Sequence, residues 1–306
     1  MRFAGQLNIG PLQFDLQAAA PLTVCYPERA YAGFFHAKPT ASNALRRLPV
    51  TVTRGAEPIP TTEPLFRGGR NWAVWDAGDE WQFAAGFHER SVARWMCRLA
   101  RDFSRASVTV DFTGDVCVAP LCYPLDQILS WGLLAGIGGV LLHASVAVRN
   151  GVALVFAGRS GAGKSTLASL VHAQGWRILN DDRVLVFKRG GEWRVAGTPW
   201  HGSGRFAEAH EAPLAGLFFL QQALAERIEE MAPSEIRLAL LDVASVPWFA
   251  DDWAQPTLDT LERLCAEEDT TPSQLVRRLL RTYIEERTGS PWAPESAEST
   301  PTSTAN

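Results

Sequence analysis

Segments in which apolar and polar residues alternate dominate the first 123 residues of the chain. LQFDLQ at 12–17 alternates residue by residue, which is typical of a strand with one buried face. NWAVW and EWQFAAGF flank DAGD and predict a hairpin, and ASVTVDF at 106–112 predicts a further strand. RSVARWMCRLARDF fits either helical spacing or a pair of strands. We therefore expect a β-rich N-terminal domain over residues 1–123.

The long apolar run WGLLAGIGGVLLHASVAV at 131–148 has the length of a membrane span. It contains His143 and four glycines, so we interpret it as a buried helix followed by a buried strand. The helix begins at PLDQILSWGLLAG, with Pro124 near its first turn. The N-terminus alternates apolar and polar residues, unlike a signal peptide, so we expect a cytoplasmic protein without a membrane partner.

The apolar run VALVFAG predicts a strand, and the residues from Lys164 to about Gln174 predict a helix that ends at Gly175. Between them, GRSGAGKST fits the phosphate-binding template G-x-x-x-x-G-K-[ST]. Glycines allow successive amide hydrogens to converge on a phosphate, the lysine adds a positive charge, and the serine hydroxyl can bind Mg²⁺. We expect ATP and Mg²⁺ as cofactors, with ATP bound by Gly158, Arg159, Ser160, Gly161, Ala162, Gly163, Lys164, Ser165 and Thr166.

Three further features are candidates for chemistry. Asp181 and Asp182 in LNDDRV could divide metal binding and proton acceptance between them, although such a pair is also common in turns and helix caps. His143 could act near the phosphates or could be a hydrogen-bonded core residue. GTPWHGSGR at 197–205 ends in Arg205 and predicts either a loop over the acceptor or an ordinary turn.

The segments after residue 205 predict one strand, at GLFFLQQ, and one helix, SEIRLALLDV, with Ser234 as its N-cap. Past Trp253, TLDTLERLCAEEDTTPSQLVRRLLRTYIEER predicts two amphipathic helices. We divide the remaining chain into an ATP-binding core at 124–253, a helical hairpin at 254–288 and a disordered tail at 289–306, which is rich in Pro, Ser, Thr, Glu and Ala.

Composition narrows the possible partners only slightly. The 306 residues carry a net charge of −4, so no overall basic excess suggests nucleic acid as the main partner. The five cysteines form no C-x-x-C pair and lie mostly in apolar stretches, and we expect them to be reduced thiols.

The stretch HASVAVRNGVALVFAGRSGAGKSTLASLVHAQGWRILNDDRVLVF resembles the catalytic core of HPr kinase/phosphorylase and its relatives. In those kinases a histidine precedes the loop strand, and Asp-Asp-Arg follows the helix closely. The resemblance covers about residues 125–222 and implies an α/β fold with a phosphoenolpyruvate carboxykinase-like P-loop kinase core. To this core the chain adds the β-rich N-terminal domain and the C-terminal helical hairpin.

The resemblance also implies roles for individual residues. Asp181 would be the base that deprotonates a serine hydroxyl, Asp182 would bind the metal together with Ser165, and His143 would match the active-site histidine. Lys164 and Arg205 complete the catalytic set that we expect. The family's L-E-I-R-G-x-G loop is replaced by AGTPWHGSGRFAEAHEAPLAG, which resembles a divergent branch found in biosynthetic clusters for ribosomal peptides.

We therefore expect an ATP-dependent serine kinase acting on a peptide, a small protein or a small molecule, in a homo-oligomer. A nucleotide-binding regulator without transfer activity is one alternative. The tail supplies another, because its helix pair is similar to that of ribbon-helix-helix DNA-binding proteins, although FADDWAQP is a poor match for their DNA-reading strand. In the third interpretation, the tail is a helical hairpin that packs on the kinase core or on another subunit. Under this interpretation we expect no nucleic-acid partner.

Overall fold

The fold is taken from a computed structural model of the chain, which describes residues 1–19, 22–68, 71–86, 92–111, 117–223 and 228–268. It is a mixed α/β structure with two large sheets and four α-helices among these residues. The second helix of the predicted tail hairpin and the predicted disordered tail lie outside the described residues.

The N-terminal half forms a sheet of nine strands, in the spatial order β4-β1-β2-β5-β10-β9-β8-β7-β6. Neighbouring strands are antiparallel except where β5 runs parallel to β2 and β10. Its strands are β1 (Arg2–Ile9), β2 (Leu12–Ala18), β4 (Phe35–His36), β5 (Arg46–Arg54), β6 (Phe66–Gly68), β7 (Trp72–Asp76), β8 (Glu80–Ala85), β9 (Trp95–Ala100) and β10 (Ala106–Val110). A separate two-stranded pair joins β3 (Thr23–Val24) to β11 (Cys117–Val118), and a short 3₁₀-helix spans Arg29–Tyr31.

In the ambiguous RSVARWMCRLARDF segment the structure forms a strand, β9, over Trp95–Ala100. Both faces of β9 are covered, because Cys97 belongs to the main core and Met96 to a small cluster on the opposite face with Trp75. Burial on both faces replaces the usual alternation of apolar and polar residues. The resulting run of apolar residues imitates helical spacing.

The C-terminal half contains a second sheet that closes on itself. Its strands are β12 (Val140–Arg149), β13 (Val152–Ala157), β14 (Arg177–Asn180), β15 (Arg183–Arg189), β16 (Glu192–Ala196) and β17 (Glu211–Phe219). β12 pairs with β15 through its first half and with β13 and β14 through its second half. β13 then pairs in parallel with β17, which returns through β16 to β15.

Four α-helices surround this sheet: α1 (Leu125–Ala135), α2 (Lys164–His172), α3 (Pro233–Val243) and α4 (Asp251–Glu268). The N-cap of α3 is Ala232 rather than Ser234, because Pro233 occupies the first helical position and the Glu235 carboxylate accepts the Ala232 N–H at 2.9 Å. α4 begins at Asp251, before the predicted start, and continues through Pro256.

A single hydrophobic core connects the two sheets. It contains Phe14 and Val50 from the N-terminal sheet, Leu129 from α1 and Phe187 from β15. Trp253 of α4 completes this core against an aromatic group, which consists of Trp81, Phe83, Phe103 and Phe249. The predicted domain boundary at residue 123 therefore falls between segments whose side chains share one core.

The structure pairs Cys25 with Cys117 as a disulfide, which corrects the expectation that all five cysteines are reduced. Cys25 directly follows β3 and Cys117 is the first residue of β11, and the pairing of these strands brings their Cα atoms to 5.5 Å. Cys97, Cys122 and Cys265 are thiols that take no part in this disulfide. Within the described residues no helix combines the length and the apolar character needed to cross a membrane.

A fully buried carboxyl group, that of Asp126 on α1, lies between the two halves of the chain. It accepts hydrogen bonds from the Tyr31 hydroxyl at 2.5 Å and from Trp200 Nε1 at 2.7 Å. Burial raises the pKa of Asp126 to about 6, although these hydrogen bonds act in the opposite direction. Through this carboxyl group, Tyr31 of the N-terminal half is linked to Trp200, which lies on the loop that follows β16.

We expect the stability contributed by Asp126 to fall as the pH rises from about 4 to about 6. The folded state keeps the proton over this range while the unfolded carboxyl, with a pKa of about 3.9, releases it. The free energy of unfolding of Asp126→Asn, relative to the unchanged protein, should therefore increase by on the order of 2 kcal/mol between pH 4 and pH 6.5. Urea unfolding across this pH series measures the difference, and a constant difference would contradict the prediction.

Candidate functional site

The glycine-rich loop lies between β13 and α2, as the sequence predicts. Gly161 and Gly163 have φ angles of 82° and 104°, a region that side chains with a Cβ atom rarely adopt. A Cβ atom on Gly158 would lie 3.1 Å from the Leu220 carbonyl oxygen, so a side chain at this position would crowd the neighbouring backbone. The loop therefore has the backbone geometry that lets amide groups turn toward one anion at the start of α2.

Lys164 is buried within this loop. Its Nζ atom donates to the carbonyl oxygens of Gly158 at 2.7 Å and Arg159 at 3.1 Å. Burial lowers the pKa of Lys164 below its ordinary value; the charge of Asp182 raises it and that of Arg183 lowers it. The ammonium group is thus held against the loop backbone, on the side of the Asp182 carboxylate.

The two adjacent aspartates occupy a break between β14 and β15. Both strands follow the same edge of β12 in one register, since Val146 pairs with Asn180 and His143 with Arg183. The side-chain oxygen of Asn180 fills the break by accepting the N–H groups of Asp182 at 2.7 Å and Arg183 at 2.8 Å. The Asn180 amide donates in turn to the Thr198 carbonyl oxygen at 2.8 Å.

Asp181 is buried and directed toward the loop that follows β16. Its Oδ1 atom accepts the N–H of Gly202 at 2.9 Å and that of Phe206 at 3.3 Å, and its Oδ2 atom accepts the N–H of Gly204 at 2.6 Å. Cβ atoms on Gly202 and Gly204 would lie 2.9 and 2.8 Å from Asp181 Oδ2. The two glycines therefore let the backbone wrap around the carboxylate, and both of its oxygens are engaged by the fold.

Asp182 has the opposite environment and faces His143. His143 Nε2 lies 2.8 Å from Asp182 Oδ1, and both side chains are partly exposed. Burial alone would raise the pKa of Asp182. The hydrogen bond from His143 and the charges of Arg183, His143 and Lys164 outweigh burial, so the pKa lies below its ordinary value. Asp182 is therefore an ionised carboxylate at neutral pH.

The structure thus brings three of the predicted residues together, Lys164, Asp182 and His143, and separates Asp181 from them. Arg205 is exposed, has a φ of 58° and donates its N–H to the Gly202 carbonyl oxygen at 3.2 Å. It therefore lies on the loop that Asp181 holds. Ser165, in the first turn of α2, is partly exposed.

The oxygen donors near the loop suit a magnesium ion that is bound partly through phosphate. They are the Ser165 hydroxyl and the Asp182 carboxylate. The described part of the chain contains no group of three or more His, Cys, Asp and Glu residues that could hold a metal by themselves. Mg²⁺ commonly binds one or two protein oxygens and completes its shell with phosphate and water, so this donor set fits it.

Several residues that shape the site were not singled out from the sequence: Asn180, Thr198, Gly202 and Gly204. Asn180 and Thr198 are fully buried polar residues, and Asn180 immediately precedes the aspartate pair. An asparagine at that position is a recognisable turn signal. The two glycines of HGSGR are a similar signal of close backbone approach, but the sequence does not show which group approaches.

Comparisons with known proteins find partial similarities. A family model described as "SynChlorMet cassette protein ScmC" matches residues 128–263, and a ribbon-helix-helix protein model matches residues 257–303. No curated protein matches the chain. Among solved structures, the Hpr(Ser) kinase/phosphatase from Coxiella burnetii is similar at 15% identity and a TM-score of 0.25, over 42% of this chain and 92% of that one.

Replacing the two aspartates should separate their structural roles. Asp181→Asn places an NH₂ group against one of the backbone N–H donors, so we expect it to lower the free energy of unfolding by about 1–3 kcal/mol. Asp182→Asn keeps an acceptor for His143 at a partly exposed position, so we expect a loss of under about 1 kcal/mol. Urea unfolding at pH 7 compares the two variants, and a larger loss for Asp182→Asn would contradict this assignment.

Proposed function

We propose that this chain is a kinase that transfers the γ-phosphoryl group of ATP, with Mg²⁺, to a serine hydroxyl of a peptide, a small protein or a small molecule. The observation that carries the proposal is the meeting of Lys164, Asp182 and His143 beside a glycine-rich loop at a helix N-terminus. Phosphoryl transfer depends mainly on positioning and charge neutralisation, which such an arrangement supplies.

The loop residues bind and neutralise. The amide groups from Gly161 to Thr166 cradle the β- and γ-phosphates, and the Lys164 ammonium adds a full positive charge. The ammonium is held by two carbonyl oxygens, and among the residues that the structure describes no carboxylate forms a hydrogen bond with it, so its charge is available to the phosphates. The Ser165 hydroxyl and Asp182 hold Mg²⁺, which neutralises developing charge when bound.

Asp182, rather than Asp181, is the carboxylate that we propose for accepting the hydroxyl proton. Both oxygens of Asp181 accept backbone hydrogen bonds, whereas Asp182 is partly exposed, pairs with the side chains of His143 at 2.8 Å and Arg183 at 3.7 Å, and faces the charge of Lys164. His143 orients the Asp182 side chain through its hydrogen bond to Oδ1. Asp181 is a positioning residue that holds the 202–206 loop.

The acceptor would meet the loop from residue 197 to 206. This loop carries Arg205 at an exposed position, and its backbone is fixed by Asp181 at one side and by Trp200 at the other. Arg205 can therefore contact the transferred phosphoryl group or an acidic side chain of the acceptor.

The proposal is tested by measuring the transfer of label from γ-³²P-ATP to a library of serine-containing peptides. The same library with alanine in place of serine is the comparison. We expect Lys164→Ala to reduce incorporation by at least about a hundredfold, because one preorganised charge at the phosphates is lost. Asp182→Asn should reduce it by about a hundredfold or more, because the proposed base is lost.

The control for this assay is Asp252→Asn, which changes an exposed aspartate in the first turn of α4 and should leave incorporation unchanged. Full incorporation by Asp182→Asn, together with loss in an Asp181→Asn variant that remains folded, would assign the base to Asp181 instead. Nucleotide binding without incorporation into any peptide would contradict the kinase and favour a nucleotide-binding regulator.

A DNA-binding tail is the second candidate function, and the ribbon-helix-helix match over residues 257–303 favours it. Its first twelve residues belong to α4, where Leu261, Leu264 and Cys265 are buried in a second hydrophobic cluster together with residues of β12 and α3. A gel shift with duplex DNA tests this function. Affinity that falls steeply with salt and is lost on deletion of residues 269–306 would support it, and unchanged affinity after the deletion would contradict it.

A further inference from the structure

A cleft of about 610 Å³ opens along the first half of the glycine-rich loop, on the side away from Asp182. Its walls are the loop residues 158–162, the segment 219–222 after β17 and the inner face of α3. Leu220, Ala239 and Val243 give it apolar surfaces, and Arg159 and Asp242 are charged groups in its lining. The volume lies within the range of pockets that hold small organic ligands.

The position of this cleft follows from the strand order. β13, which leads into the loop, lies between β12 and β17, because Ala157 pairs with Ala144 on one side and with Phe219 on the other. His143 lies on β12, and Asp182 in the break beside it, whereas the cleft lies at the end of β17. The loop therefore separates the carboxylate site from the cleft.

We propose that the cleft binds the nucleoside part of the nucleoside triphosphate, an inference that rests on the proposed kinase function. When the last phosphate faces Asp182, the nucleoside at the other end of the triphosphate lies away from that carboxylate. The cleft is a place for it, because the cleft is lined by the same loop. The base packs against Leu220 and Val243, and the ribose hydroxyls donate to the Asp242 carboxylate.

The rim of the cleft already holds Asp242 in place. Arg159 Nη2 and Nε donate to Asp242 Oδ2 at 2.6 and 3.2 Å, which leaves Oδ1 for a further donor. Gln222 Nε2 donates to the Gly161 carbonyl oxygen at 2.8 Å and fixes the opposite wall to the loop. Asp242 is thus a specificity-determining residue that distinguishes a ribonucleotide from an analogue without ribose hydroxyls.

Nucleoside binding in the cleft is tested by calorimetry. The affinity of the full chain is measured for ATP and for inorganic tripolyphosphate, each with excess Mg²⁺. We expect ATP to bind at least about tenfold more tightly than tripolyphosphate, because only ATP buries a base. Ala239→Trp fills the cleft and should bring the ATP affinity to that of tripolyphosphate, while changing tripolyphosphate binding less than about twofold. Leu238→Trp, the matched control at an exposed position of the same helix, should keep the ATP preference.

Asp242→Ala supplies an independent test of the ribose contact. The unchanged protein should prefer ATP over 2′,3′-dideoxy-ATP by about tenfold, and the variant should bind the two equally. An ATP preference that survives Ala239→Trp, or a ribose preference that survives Asp242→Ala, overturns the inference and leaves the kinase proposal standing. Failure of both ATP and tripolyphosphate to bind the unchanged protein overturns both.

Discussion

The break between β14 and β15 is the constraint on which the candidate site depends. The pairs on either side of the break, Val146 with Asn180 and His143 with Arg183, keep one register, while the chain bends at the two aspartates and directs their side chains to different neighbours. Asp181 therefore enters the interior and Asp182 faces the loop. One carboxylate organises the backbone of the 202–206 loop, and the other remains available for chemistry. Two identical side chains acquire different roles from their positions in the break.

The phosphate-binding loop could be predicted from the sequence because all of its determinants are local. A buried strand, glycines at left-handed positions, Lys164 and a helix with Gly175 after its end occur within about two dozen residues. The division of labour between Asp181 and Asp182 could not be predicted in the same way. It depends on Gly202, Gly204 and Asn180, and on the pairing of β14 with β12, which are contacts between distant parts of the chain.

The N-terminal half contributes to the site through a buried polar contact as well as through the shared core. Tyr31 of the 3₁₀-helix donates to Asp126, and Trp200 on the 197–206 loop donates to the same carboxylate. The loop is thus fixed at Trp200 by Asp126 of α1, which Tyr31 also contacts, and at Gly204 by Asp181. Alternation in LQFDLQ was sufficient to predict a strand. The hydrogen bonds that join residues 31, 126 and 200 leave no periodic pattern in the sequence and could not be predicted from it.

The packing of α4 bears on the choice between a kinase and a DNA-binding protein. Leu261, Leu264 and Cys265 repeat at helical spacing and form one apolar face, which is the pattern expected of a ribbon-helix-helix helix. In this chain the same face is already buried against α1, α3 and β12, together with Trp253 in the preceding turns. One apolar face cannot be buried in the core of its own chain and against a second subunit at the same time. To pair with a second subunit, α4 would first have to leave the core and expose these side chains to water. Local periodicity therefore identifies the apolar face, and the tertiary structure determines the partner that covers it.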